Sequence, residues 1–438
     1  MTRPSSPLRH ALLAVLALSL LLSACAPSRV AVLVLWHPFS GVRERALLDL
    51  VDQWNQRRVS AGAASDIVVA QRMDVATMRT RMIDGKARGA GPALFIAPPA
   101  LTALLHRNGL ARELDGFVRE PADAGGFSDA DRADLFDLVF SAGRTPEGKT
   151  IGLGFGGAVR ALYFNRDWLR SEGADSAPID MDQLATLCGR ASDPLRGTQC
   201  LIAAADATTF QDWLYLFNGT LSAERAYAPQ FTSPAAISAT TRLAIFSGAG
   251  LLRRAVSPEQ PRQEFAAGRS LFSLDWSDQF GLYRTQVRDN ADFAWGIVTP
   301  PANVGNVSRI AYQGWLLSIT PGGDAREREA WQFMQWMLAE PQTTQWAAVT
   351  RELPARASSF DRLRTQGGLD IQSATVLLRL ARIAQPPPAV VGWSCAEIAL
   401  TEAIADVFDG LPAADALKIA QDTAVSRAGA DCIAQRGP

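Results

Sequence analysis

Histidine is nearly missing from this chain of 438 residues, which contains three. Catalytic triads and metal centres that need several imidazoles are largely excluded by that scarcity. No G-x-S-x-G, H-E-x-x-H or C-x-x-C occurs, so the nucleophile elbow, the zinc-protease helix and the paired-cysteine motif are absent too. Neither sign of charge is in excess. Lys and Arg number 43 against 44 Asp and Glu, a formal net charge of −1, and nucleic acid is not an expected partner. Only one long apolar run exists, Ala11–Leu22, which excludes a polytopic membrane protein. What remains is an ordinary globular balance, 48% apolar and 20% charged, with length for two or three domains. Eleven Trp stand against the three His. That imbalance points to aromatic contact surfaces rather than imidazole chemistry.

Arg3, Arg9 and His10 precede the apolar run. A positive start and an apolar stretch too short to span a bilayer read as a signal peptide, residues 1–24. The run ends in Leu22-Ser23-Ala24-Cys25, which resembles the bacterial lipobox. The resemblance implies cleavage before Cys25 and diacylglycerol on its sulfur; a plain secretory signal is the alternative. Cys188, Cys200, Cys395 and Cys432 remain. An even number in an exported chain suggests disulfides, and four cysteines allow three pairings. The local pairing, Cys188 with Cys200 and Cys395 with Cys432, closes the shortest loops and is preferred; four buried thiols are the alternative. With only His37 and His106 left after processing, no metal or cofactor is expected.

The continuous apolar run Val30–Leu35 reads as a strand buried on both faces. A helix follows over 43–55, with Ala46, Leu47, Leu50, Val51 and Trp54 at helical spacing. Strands are predicted at Ile67–Ala70 and Leu94–Ala97, with helices at Met73–Asp84 and Leu101–Asn108. This alternation argues for a doubly wound α/β lobe. The glycine-rich stretch Gly148–Gly157 lacks a phosphate-loop Lys and feeds a strand, Ala161–Asn165, rather than a helix. A flexible crossover between lobes accounts for it better. Further strands are predicted at Leu271–Trp276, Phe293–Val298 and Ile310–Ile319. Asp324 followed by Glu327 fits a capping box, and the tail reads as helices at Ser373–Ile383, Ser394–Phe408 and Ala413–Val425.

Seven segments, in order, resemble the family 1 extracellular solute-binding proteins, the sugar-capturing subunits of bacterial ABC importers. VLVLWHPFSG at 32–41 is similar to the family's opening strand and loop. Gly148–Gly154 with ALYFNRD at 161–167 resembles "GKxYGxP … LYYNKD". GRSLFSLDW at 268–276 resembles "GKAAM … W", and WGIVTPP at 295–301 resembles "WGVxPLP". YQGWLLSIT at 312–320 is similar to "GGWGLAIS". Residues 330–354 resemble "AWEFLKFLTSPEAQ … GYLP", and 410–422 resemble the closing "GKxSxEEALxxAxxD". Two departures stand out: Pro92-Ala93-Leu94 replaces Pro-Asp-Val, and Gly154 replaces the crossover Pro. The resemblance implies an α/β fold of two lobes, the type II-like periplasmic-binding-protein fold. Each lobe is a mainly parallel sheet flanked by helices, with the ligand cleft between them. Lobe I is expected over 29–156 and 305–350, lobe II over 157–304 and 351–438.

A sugar offers apolar C–H faces to aromatic rings and hydroxyl edges to planar polar groups. By resemblance to the maltodextrin-binding branch, Trp276 and Trp393 stack on sugar; core packing is the alternative for both. Trp315 lies where the family's returning crossover passes the site. Trp36 ends the first strand, where doubly wound lobes meet ligand. Trp213 sits on an aromatic-rich helix. The polar candidates are His37, Asp74, Arg160 and Asp275. Asp74 has helix N-capping as its plainer role, and Arg160 has interlobe ion pairing. Because strand neighbours point to opposite faces, at most one of Asp275 and Trp276 is expected to face ligand unless the strand has ended. Trp54, Trp168, Trp331, Trp336 and Trp346 read as packing.

The expected function is capture of a mono- or oligosaccharide by a monomeric, membrane-anchored, extracytoplasmic protein that serves an ABC permease, with no catalysis. A sugar-sensing adaptor that signals to a membrane receptor shares this fold. An exported lipoprotein hydrolase is a third reading, and a phosphorylated polyol with Arg partners is an alternative ligand.

Overall fold

The structure, a computed structural model, describes residues 32–61, 67–85, 91–223, 228–303, 305 and 309–432. The expected signal peptide and the lipidation site Cys25 lie outside the described residues. The strands are β1 (Val32–His37), β2 (Ile67–Arg72), β3 (Leu94–Ala97), β4 (Leu153–Asn165), β5 (Leu201–Ala203), β6 (Leu252–Arg254), β7 (Phe272–Trp276), β8 (Trp295–Val298), β9 (Ile310–Ile319) and β10 (Ala384–Gln385).

β1 pairs in parallel with β2 and β3, as its fully apolar run predicts for a strand covered on both faces. β9 then pairs antiparallel with β3 and with β4. β4 pairs antiparallel with β7 and β8, and β10 adds in parallel to the start of β9. β5 and β6 form a parallel pair, joined to the lead-in of β7 by the Leu271 and Phe272 N–H groups donating to Gln199 and Cys200 carbonyls. The α/β architecture is as expected. The sheet is mixed rather than mainly parallel, because β4 and β9 are long return strands that run against most of their partners.

β4 has two sets of partners. Leu153–Phe155 face Trp315–Leu317 of β9, while Arg160–Asn165 face β7 and β8. A bulge at Phe155/Gly157 interrupts the β9 ladder, which resumes with Gly157–Val159 opposite Tyr312–Gly314 before β7 and β8 take over. Gly156 has φ +63°, and a Cβ there would lie 2.2 Å from the Glu352 carboxylate and 2.6 Å from the Trp346 indole nitrogen. From Leu153 the glycine-rich stretch is therefore a bulged strand, while residues 148–152 lead into it outside any named strand.

Each half of the sheet is sandwiched. Around β1–β3, Leu47, Leu50, Trp54, Trp331 and Trp346 pack on one face, and Met78, Leu101 and Leu105 on the other. Around the far half of β4, Phe210, Leu243 and Leu400 pack on one face, and Tyr283, Phe360 and Leu380 on the other. Each such buried side chain contributes about 1.5–3 kcal/mol. Trp331, Trp346 and Trp54 are core, as predicted.

The helix Asp324–Met337 begins without the predicted capping box. Gly323 is its N-cap residue, and Glu327 instead accepts the Gly322 N–H and pairs with Arg112. Both disulfides take the local pairing. Cys188–Cys200 ties the helix Met181–Ala191 to β5, and Cys395–Cys432 ties the helix Trp393–Phe408 to the C-terminal tail.

Candidate functional site

A cleft of about 780 Å³ opens beside the β4 bulge. Its floor is Gly157 and Ala158 of β4 with Gln313 and Trp315 of β9. One wall is the start of the helix Pro99–Arg107 and the turn at Asp74. Arg43 enters from the first turn of the helix Gly41–Ser60, Asp278 from the turn after β7, and Trp393 from the start of the helix Trp393–Phe408. Five charged side chains line it: Arg43, Asp74, Asp278, Glu352 and Glu397. Arg43 is the one cation among these described residues.

That cation is committed. Arg43 Nε donates to Glu352 Oε1 at 2.6 Å and Nη2 donates to Asp278 Oδ2 at 2.9 Å. Glu352 Oε2 accepts the Gly157 N–H at 3.0 Å and the Trp346 indole N–H at 2.8 Å. Burial pushes both carboxyls, Asp278 and Glu352, above the usual range, with Arg43 pulling the other way.

A second recess of about 320 Å³ lies against β7 and the helix Ala207–Leu216. Arg160, Asp212, Trp213, Asp275 and Trp276 border it. Arg160 is buried and holds Asp212 with Nε at 2.9 Å and Nη2 at 2.7 Å. Its guanidinium also lies 5.0 Å from the centre of the Trp276 ring. Burial raises the Asp212 carboxyl to about 6, against the pull of Arg160.

The predicted residues thus divide. Asp74, Trp315 and Trp393 meet in the cleft, while Arg160, Trp213, Asp275 and Trp276 meet in the recess. Asp275 and Trp276 both border the recess, because the strand ends at Trp276 and turns into the short helix Ser277–Gln279. Asp74 also caps a helix: its carboxylate accepts from Thr77 Oγ1 and N–H, which hold it below the usual range. Trp315 is half-buried, edge-on to Phe39. Trp393 is buried, and its indole N–H has no partner among the described residues.

Trp36 and His37 border neither cavity. β1 stays paired with β2 through His37, so both side chains are buried, Trp36 donating to Gln71 at 3.1 Å. Burial holds His37 below its usual pKa. Arg43, Asp278, Glu352 and Asp212 went unpredicted. No group of three or more His, Cys, Asp or Glu that could hold a metal occurs among the described residues.

A solvent-open cleft at the junction of two sheet halves, walled by rings and carboxylates, is the architecture of a binding protein. Residues 66–367 match the bacterial extracellular solute-binding protein family, and the chain belongs to it. Its fold is similar to that of the cyclic alpha-maltosyl-1,6-maltose binding protein from Arthrobacter globiformis, with a TM-score of 0.75, 17% identity, and coverage of 91% of this chain and 99% of that one. The GacH receptor of Streptomyces glaucescens, solved unliganded and with acarbose, gives a TM-score of 0.71, 16% identity, and coverage of 92% and 99%. An ABC substrate-binding protein from Listeria monocytogenes in complex with cycloalternan gives 0.70, 15%, and coverage of 91% and 99%. The comparison with curated protein sequences gave no match.

Proposed function

We propose that this protein captures an uncharged mono- or oligosaccharide in the cleft and delivers it to the permease of an ABC importer. The lobes of this reading are 29–156 with 305–350, and 157–304 with 351–438, hinged at the β4 bulge. It acts as a monomer outside the cytoplasm, tethered through lipid on Cys25, and catalyses nothing. The observation that carries the reading is the lining of the cleft. Trp315 offers half-buried ring surface next to the buried Trp393, and four carboxylates line the cleft with one guanidinium that two of them already pair. Such a wall accepts hydroxyl donors and repels a phosphate. The sugar ligands named for the Arthrobacter and Listeria proteins support the same choice.

The test is tryptophan fluorescence of the purified chain, titrated with mono- and oligosaccharides and with glycerol phosphates. A saturable change with a neutral saccharide at micromolar concentration is expected. Saturation by a glycerol phosphate alone would overturn the ligand class, and silence from the folded protein would remove carbohydrate altogether. Separately, Cys25→Ala should release the protein from membranes; continued attachment would end the lipid-anchor proposal.

A further inference from the structure

Arg43 is where charge bridges the cleft. Its side chain is 39% exposed, while those of Asp278 and Glu352 are 6% and 1% exposed. Glu352 belongs with the hinge, since one of its oxygens takes the Gly157 N–H of the bulge and the indole N–H of Trp346. Asp278 belongs with the other half, in the turn directly after β7, and Gln279 Nε2 donates to it at 3.0 Å. One guanidinium from the first lobe therefore reaches two carboxylates, Glu352 at the hinge where the chain enters the second lobe and Asp278 farther into that lobe.

We propose that Arg43 is an interlobe latch: its contact with Asp278 holds the ligand-free protein closed, while its contact with Glu352 keeps it seated at the hinge. The inference rests on the two-lobed reading above, but not on the identity of the solute. Without the guanidinium, closure brings the Asp278 carboxylate into a poorly solvated site facing Glu352, and like charges at short range oppose it. With it, closure forms a charge-assisted hydrogen bond at 2.9 Å. Opening breaks that bond and returns Asp278 to water, while the Glu352 contact persists. Because a ligand that binds the closed form gains apparent affinity in proportion to the closed fraction, the latch raises affinity without touching solute.

Small-angle X-ray scattering of the purified, ligand-free chain tests this. A compact chain of this length has a radius of gyration of about 22 Å. Arg43→Gln should increase it above the wild-type value. Asp278→Asn should open the protein to a similar degree, and the double variant no further, since both remove one contact. About 0.5 M NaCl should move the wild type toward the open value and leave Arg43→Gln unmoved, because a part-exposed pair is screened. Unchanged radii in both single variants, or a double variant that expands by the sum of the two, would overturn the latch. Should Arg43→Gln fail to fold by circular dichroism, Asp278→Asn with the salt series decides alone. Expansion in the variants together with silence toward every saccharide would keep the latch and sink the carbohydrate reading; the reverse pair of results would do the opposite.

Discussion

Two guanidinium groups, Arg43 in the cleft and Arg160 in the recess, each sit between two carboxylates and do different work. Arg160, Asp212 and Asp275 come from β4, the helix Ala207–Leu216 and β7, elements that pack around one core. Arg160 also donates to the Leu274 carbonyl at 2.5 Å. Its side chain is 10% exposed and that of Asp212 2%, so neither can leave without stranding a desolvated charge. Arg43 instead reaches across from the first lobe to the hinge and the second, and keeps more than a third of its surface in water. The same ion pairing is thus a fixed wall where all partners share one core, and an exchangeable contact where they do not. The wall has a consequence for the ring beside it: with Arg160 over Trp276, that indole already has a cation on its face.

The comparison breaks first at Asp212. Asp212→Ala leaves Arg160 buried with Asp275 at 3.6 Å, and should cost about 3–5 kcal/mol of stability, the scale for removing one member of a buried pair. Urea unfolding of the variant measures this. Arg43→Gln should cost clearly less, because Asp278 recovers water when the cleft opens. Equal losses for the two variants would erase the distinction. Next in size is the ring test. Trp315, with no cation over it among the contacts described, should lose roughly tenfold or more in saccharide affinity on replacement by Ala, about 1.4 kcal/mol or greater. Trp276→Ala should lose less, because its face is shared with Arg160. The reverse order, read by calorimetric titration, would place the solute in the recess.

Much of the fold was legible in the chain because it is local. The apolar run of β1, the limits Leu94–Ala97 and Ile310–Ile319, and the helical spacing of the tail all carry their own signal. The bulge was not: Gly154–Gly157 reads as loop by composition, and becomes strand because β9 supplies a ladder on its edge. The site was half legible. Trp315 and Trp393, which line the cleft, stand out in the chain because their segments resemble a family pattern. Trp36 and His37 lie apart from both cavities because pairing with β2 continues through His37, one residue beyond where a strand-end rule looks for ligand. Arg43 is an ordinary first-turn residue, and Asp278 and Glu352 lie far from it in sequence, so nothing local announces the three. One signal was available. The glycine of the family's "GYLP" falls at Arg351, which has φ +66°, and the acid beside that left-handed position is Glu352.

The smallest effect tests the charge logic by its sign with pH. Asp370 caps the helix Ile371–Ile383, accepting from the Ser373 N–H at 2.8 Å and its hydroxyl at 2.6 Å. Burial raises its pKa, but these bonds outweigh that and leave it below the ordinary 3.8. Its stabilisation is therefore present above pH 4 or so and lost as pH falls through the lowered value. Asp212 is opposite: raised from 3.8 to about 6, it keeps its proton longer in the folded chain, so its contribution declines as pH rises across that interval. Asp370→Ala should cost about 1 kcal/mol at pH 7, and the gap in melting temperature from wild type should shrink as pH is lowered toward 3. Carboxyl NMR should show Asp212 titrating near 6 in the same protein. An Asp370→Ala gap that widens in acid would mean that burial outweighs its capping bonds, while an Asp212 midpoint below 4 would mean that Arg160 outweighs burial and that the recess, too, is held mainly by attraction between charges.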